Sequence, residues 1–386
     1  MELYIHIPFC VRKCTYCSFA SFPGCNRQEM EQYLLAVLRE ARLRQHEVNE
    51  PLETAYIGGG TPSLIPPDLF GSFLSELKTV LDLTRVDEFT VEANPGTVTP
   101  AWLDAAVSHG INRISFGMQA FQEPILQTLG RIHRSGDVVS SVEAARKAGL
   151  KNISLDLMFG IPGQKMTDWV ETIRFALSLH PDHISAYGLI PEEGTPLAAQ
   201  LESGRLELPD PDMERDMYDR CIRLLSENGF EQYEISNFSR PGFACRHNIG
   251  YWDQIPYLGL GVSAASMLRP SSLPEGFFSI RRSNPASFAE YYRMLRSPED
   301  CGQEERITNP EARFETVMLS LRMTAGMNRS RFTDLHGAPP ECFYDDILSR
   351  LAEQGLLVLQ EDSWRLTRRG MDIQNSVLLE FMEDKE

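Results

Sequence analysis

Three thiols lie within one short run, Cys10-Val-Arg-Lys-Cys14-Thr-Tyr-Cys17, directly after a β-rich segment. Thiolates are soft ligands suited to iron–sulfur clusters, which usually take four of them. Three leave one iron of a 4Fe-4S cluster open, and an open coordination position lets a small molecule bind the metal, the distinction that separates catalytic from closed structural metal sites. Two plainer readings stand beside this one: three unrelated buried cysteines, or a zinc site completed by a distant residue. The remaining cysteines, Cys25, Cys221, Cys245, Cys301 and Cys342, are scattered. In a reducing cytosol that pattern argues against a disulfide framework and for a metal site.

Such chemistry needs elements that carry further polar groups to the same place. Short β-rich runs at 3–8, 54–57, 88–93, 111–116, 153–159 and 183–190 alternate with segments of helical length at 29–43, 67–81, 101–109, 136–148 and 166–179. Successive right-handed βαβ units follow, either closing as a barrel or opening as a doubly wound sheet. An incomplete parallel (β/α)6 barrel is the expected α/β fold, because candidate chemistry recurs at the C-terminal ends of several strands. Gly58-Gly59-Gly60-Thr61-Pro62 follows the second strand; its glycines let the backbone approach a ligand with N–H groups exposed, or form only a turn. Glu92 ends the third strand, Gln119 follows the fourth, Asp156 lies in the fifth, and Arg131 stands in Gly130-Arg131-Ile132-His133-Arg134. Each of these has a structural reading of its own, Arg131 as a solvated surface charge. Their common register at strand ends points to one shared ligand.

At 386 residues the chain exceeds one ordinary domain. The expected division is a core at 1–200, a core extension at 201–296 with a charged helix around 212–227 and an irregular aromatic stretch at 233–266, and a smaller, mainly helical, winged-helix-like domain at 297–386. A net charge of -17 disfavours nucleic acid and anionic membranes, leaving membrane contact at most transient. No apolar run approaches the roughly 20 residues that span a bilayer, and no secretory leader is visible, so a cytoplasmic location is expected.

The spacing C-x3-C-x2-C resembles the signature of the radical S-adenosylmethionine (SAM) superfamily. The resemblance extends through Tyr4-Ile-His-Ile-Pro-Phe-Cys10, GGGTPS at 58–63, VEANPGT around Glu92, SFGMQAF at 115–121, GRIHR at 130–134 and DLMFGIPGQ at 156–164, then YGLIPEEGTP, YEISNFS and HNIGYW. Together these are similar to the oxygen-independent coproporphyrinogen III oxidase-like branch. The resemblance implies that SAM chelates the open iron through its amino and carboxylate groups, and that reductive cleavage gives methionine and a 5'-deoxyadenosyl radical. By position it implies that Tyr4, Gly60, Thr61, Glu92, Gln119, Arg131 and Asp156 line the SAM site, with Tyr16 beside the cluster.

Within that branch, the decarboxylating enzymes extend the cluster motif by a fourth nearby cysteine and carry a longer N-terminal arm. Here Ser18-Phe19 follows Cys17 and three residues precede Tyr4. Both departures resemble the heme-chaperone (HemW) group, which implies heme as cargo, a heme-acceptor protein and an electron donor as partners. The segment His247-Asn248-Ile249-Gly250-Tyr251-Trp252 matches that group's HNxxYW pattern. His247 could ligate heme iron, with Arg246, Arg281 or Arg282 near the propionates; alternatively, His247 and Asn248 secure a loop while Tyr251 and Trp252 pack in the core. Ala265 stands where many relatives carry a histidine. Heme binding and transfer is the expected function. The alternatives are decarboxylation of coproporphyrinogen III and radical chemistry on another tetrapyrrole.

Overall fold

The computed structural model describes residues 1–297 and 303–382. The strands β1 (Glu2–Ile7), β2 (Thr54–Gly59), β3 (Glu88–Ala93), β4 (Arg113–Gln119), β5 (Asn152–Phe159) and β6 (His183–Gly188) pair in that order, all parallel. Between them lie α1 (Arg27–Arg44), α2 (Pro67–Val80), α3 (Pro100–Ser108), α4 (Glu123–Thr128), α5 (Ser135–Lys147) and α6 (Met166–Ser178). Helix starts follow local chemistry: Asn26 and Glu29 form a reciprocal capping box on α1, and Thr99 accepts from the Trp102 N–H at the head of α3. Parallel strands need cover on both faces, and β4 and β5 are accordingly almost entirely buried.

Past β6 come α7 (Pro196–Glu202), α8 (Pro211–Glu227), β7 (Glu231–Gln232), β8 (Asn237–Ser239), α9 (Arg246–Trp252), β9 (Tyr257–Leu260), β10 (Ala265–Leu268), β11 (Phe277–Ser283), α10 (Phe288–Arg296) and β12 (Gln303–Thr308). The strands make one sheet in the order β12-β11-β10-β9-β1-β2-β3-β4-β5-β6-β8-β7. Its edges do not pair with each other, so the barrel is open. The stretch at 233–266, expected to be irregular, instead contains β8, α9 and β9, and β9 is a further parallel strand beside β1. These pieces are too short to show a period in sequence and are fixed by their neighbours. A flat six-stranded sheet would span roughly 24 Å. Side chains from β3 to β6, with loop residues after β1 and β2, nevertheless share one cavity, which requires the sheet to curl.

Helix α11 (Asn309–Ser320), β13 (Met327–Asn328), α12 (Arg329–His336), α13 (Glu341–Glu353), β14 (Leu357–Gln360) and β15 (Ser363–Leu366) surround a second core that includes Val317, Phe332, Leu348 and Trp364. The domain boundary placed at 297 in the sequence adjoins residues 298–302, which lie outside the described residues and include Cys301. Strand β12 still belongs to the large sheet, so the second core begins with α11. No helix among the described residues is long and apolar enough to cross a membrane.

One carboxylate ties the open edge of the barrel to its first helix. Glu40 of α1 is 1% exposed and accepts from Arg44 (3.1 Å), Asn284 (2.8 Å), Tyr291 (2.7 Å) and the Gly261 N–H (2.8 Å). Arg44 in turn donates to the Gly259 carbonyl and to Ser266, both at 3.0 Å. A buried charge is stable only when its hydrogen bonds are complete, and removing one partner of such a set typically costs about 3–5 kcal/mol. Glu40→Ala should therefore lower the unfolding free energy, read from urea denaturation, by an amount in that range. A loss below about 1 kcal/mol would show that the network does not hold this edge.

Candidate functional site

The cysteine loop leaves β1 at the C-terminal end of the barrel and is pinned from below. The Thr15 N–H donates to the Leu129 carbonyl at 3.0 Å, the Thr15 hydroxyl to the Thr128 carbonyl at 2.9 Å, and the Leu197 N–H to the Thr15 carbonyl at 2.9 Å. Gly130, at φ 71°, permits the approach: a Cβ there would lie 3.1 Å from Thr15 Cγ2. Cys10, Cys14 and Cys17, all free thiols, border one cavity of about 330 Å³ with Tyr16, Gly60, Glu92, Gln119, Arg131 and Asp156. The barrel thus brings together nine of the residues singled out in the sequence.

The electrostatics of this cavity suit a thiolate-held, ligand-binding centre. Thr61 donates to Cys10 Sγ at 3.8 Å and Arg131 Nη1 to Cys14 Sγ at 3.6 Å, so positive hydrogens already face two of the sulfurs. Burial raises the Cys10 and Cys17 thiols above their ordinary range, and iron ligation would hold them deprotonated. Among the described residues no group of His, Cys, Asp and Glu converges tightly enough for a single metal ion. A multi-iron cluster does not require that convergence, because each thiolate binds a different iron. The donor set and the surrounding space therefore fit a 4Fe-4S cluster better than one zinc.

Glu92 accepts from Tyr56 (2.7 Å) and the Gly59 N–H (2.9 Å), and Asp156 accepts from Ser115 (3.0 Å). Burial pushes both carboxyls above the usual carboxylate range, against those hydrogen bonds. An ammonium or ribose hydroxyl entering the cavity would find two acceptors there with spare lone pairs. Asn94, not singled out in the sequence, accepts from Arg131 at 2.6 Å and donates to Thr61 at 2.7 Å. The alternation along β3 carries the signal for it, since i and i+2 share a face with Glu92.

Three expectations are corrected. The Gly58–Gly60 turn does not offer free N–H groups, because Gly59 donates to Glu92 and Gly60 to the Ile7 carbonyl. Its glycines serve close packing: a Cβ on Gly60 would sit 2.6 Å from the Phe9 carbonyl oxygen. Tyr4 does not border the cluster cavity; its hydroxyl bonds His6 Nδ1 at 3.0 Å, and its ring lines a second cavity. Thr61 likewise reaches the centre only through Cys10 and Asn94.

His247 is the largest correction. Helix α9 plugs the barrel at the starts of β1–β3, opposite the cysteine loop, and Glu88 accepts from the Arg246 and His247 N–H groups at 3.0 Å each. The imidazole is 1% exposed, with Nδ1 at 2.7 Å from the Thr54 hydroxyl and Nε2 at 3.0 Å from that of Tyr251. Both ring nitrogens are thus committed to the core, and neither is open to iron. Glu2 lies 3.9 Å away, but burial pushes it up to about 8 and pushes His247 down to about 3, helped by Arg113, so the two are neutral neighbours and not an ion pair. Gly250 leaves room for Glu2, whose carboxylate would meet a Cβ there at 1.9 Å. Arg246 pairs with Asp87 and Glu53, and Arg282 with Glu47 and Glu304; Arg281 lines the second cavity.

Residues 4–176 match the radical SAM superfamily and residues 307–373 the HemN C-terminal domain. The chain is 34% identical over 383 residues to a Bacillus subtilis protein named heme chaperone HemW, covering 98% of each chain. It is 32% identical over 391 residues to the Escherichia coli heme chaperone HemW, covering 100% of this chain and 98% of that one. A solved structure, the radical SAM coproporphyrinogen III oxidase (HemN) of Escherichia coli, superposes with a TM-score of 0.83 at 21% identity, covering 98% of this chain and 89% of that one.

The His247 environment has a measurable sign. Its pKa is near 6.5 in the unfolded chain and about 3 in the fold, so between those values the unfolded state binds the extra proton and its contribution to stability is lost as pH falls. Relative to His247→Gln, the wild type should lose stability below pH 6.5 with a slope approaching about 1.4 kcal/mol per pH unit. Parallel pH profiles of unfolding would mean that the imidazole titrates freely and is accessible after all.

Proposed function

The chain belongs to the radical SAM superfamily and, within it, to the heme chaperone HemW family, and on that premise we propose that it binds heme and passes it to an acceptor protein. Cys10, Cys14 and Cys17 hold a 4Fe-4S cluster, and Glu92, Gln119, Arg131 and Asp156 bind SAM at its open iron. When bound, that pair supplies one-electron reduction of the sulfonium. Arg131, fixed by Asn94 and the Gly117 carbonyl, holds positive charge against Cys14 and the incoming carboxylate. Tyr16 closes the cavity toward a small apolar cluster and limits access of water. A cytoplasmic setting suits the free thiols of the described cysteines. The heme acceptor and an electron donor are the partners this reading requires.

The observation that favours cargo over substrate is the separation of spaces. The cluster cavity and the second, aromatic cavity share no lining residue. Tyr56 stands between them, its ring centroid 6.2 Å from that of Tyr4 on one side and its hydroxyl bonded to Glu92 on the other. A tetrapyrrole that lost its propionate carboxylates by radical chemistry would have to present them to the cluster cavity itself.

The test is anaerobic incubation of reconstituted protein with reductant, SAM and either heme or coproporphyrinogen III. The expected outcome is retained heme that moves to an apoprotein acceptor, with coproporphyrinogen III recovered intact. Decarboxylated product would replace the chaperone reading with the oxidase one. Before heme is added, the Cys10, Cys14, Cys17→Ala triple variant should remain colourless after reconstitution with iron and sulfide.

A further inference from the structure

We infer that the second cavity, rather than the His247 helix, is where heme sits, an assignment that rests on the heme-carrier reading above. The cavity encloses about 500 Å³, within the roughly 300–1,000 Å³ typical of organic-ligand pockets. It lies between strands β1 and β9–β11 of the sheet and helix α11, so both parts of the chain build its walls. The barrel contributes Tyr4, Tyr257 and Met267, and α11 contributes Met318.

The lining matches a flat macrocycle that carries carboxylates at one rim. Tyr251 and Tyr257 meet edge to face at 4.8 Å and present a rigid aromatic wall, and the Met267 and Met318 thioethers are adaptable apolar contacts that also have affinity for iron. Arg281 lies at the rim, half-exposed, with Nη2 at 2.8 Å from Glu315 and Nη1 at 3.6 Å from Glu305. The Glu315 contact shows that the guanidinium takes a carboxylate in this position. Its planar fork has further donors for a propionate, which would share or displace Glu315.

Among the described residues no histidine lines the cavity. Heme bound there faces thioether or phenol groups in place of an imidazole, a weak ligation that suits cargo meant to leave. His247 acts one step removed: its Nε2 bonds the hydroxyl of Tyr251 and so positions a wall of the site. Ala265 faces the same space, and its methyl leaves open the volume that a larger side chain would take.

The experiment is a hemin titration of the cluster-loaded full chain, read by Soret absorption and by electron paramagnetic resonance. Wild type should bind one heme without a histidine-ligand signature; His247→Ala, which releases the Tyr251 wall, should lower affinity while leaving the iron-ligand signature unchanged. Ala265→Trp, which fills the cavity, should lose at least about tenfold in affinity while its cluster absorption is retained. Arg281→Gln, at a partly exposed position, should weaken binding by about tenfold, the loss of one charge-assisted contact. If wild type binds heme and both cavity variants bind it equally well, or if His247→Ala removes the iron signature, the site is wrong and the carrier reading stands. If wild type binds no heme, the carrier reading falls and this assignment with it.

Discussion

A curled parallel sheet turns one row of side chains from every strand into the same enclosed space, and whatever points there must be satisfied by the chain or by a ligand. The rest of the molecule follows from how this chain fills that space. At the C-terminal ends of β3–β5 it places Glu92, Gln119 and Asp156 beneath a cysteine loop pinned through Thr15. At the opposite end it inserts α9, whose N–H groups and imidazole complete the hydrogen bonding of Glu88 and Thr54. Beside β1, where β9–β11 extend the sheet past the six-stranded run, they and α11 leave an aromatic cavity. Polar groups in a low-dielectric interior are costly unless paired, which is why chemistry, plug and cavity occupy separate levels.

The tyrosines near the centre join these levels. Tyr56 is partly buried, its hydroxyl committed to Glu92, its ring stacked on His247 at 5.2 Å and close to Tyr4 at 6.2 Å. A change at Glu92 is thereby in contact, through packed rings, with both the α9 plug and the aromatic cavity.

Much of the cavity behind the cysteine loop was legible because its signals are local or periodic. The cysteine spacing needs no fold to be read, and Glu92, Gln119 and Asp156 announced themselves as polar residues at the ends of buried strands. Tyr4 and His247 were misplaced for a common reason: an aromatic or imidazole in a motif says nothing about which end of the barrel it faces. That depends on the register of β1 against β9, Glu2 opposite Tyr257, and on Glu88 capping a helix 158 residues later. Glu40 was invisible for similar reasons, since its partners Gly261, Asn284 and Tyr291 are all distant in the chain. The second cavity arises from β9–β11, of which β9 and β10 have four residues each, too few to carry an alternation of their own.

The central claim is that SAM and heme occupy different spaces in one chain. Calorimetric titration of SAM into cluster-loaded protein, with and without saturating heme, tests it most directly. The account predicts one SAM bound per chain in both cases, with heme still bound at the end of the titration. Mutual exclusion, with SAM binding lost as heme saturates, would contradict it by placing both molecules in the cluster cavity.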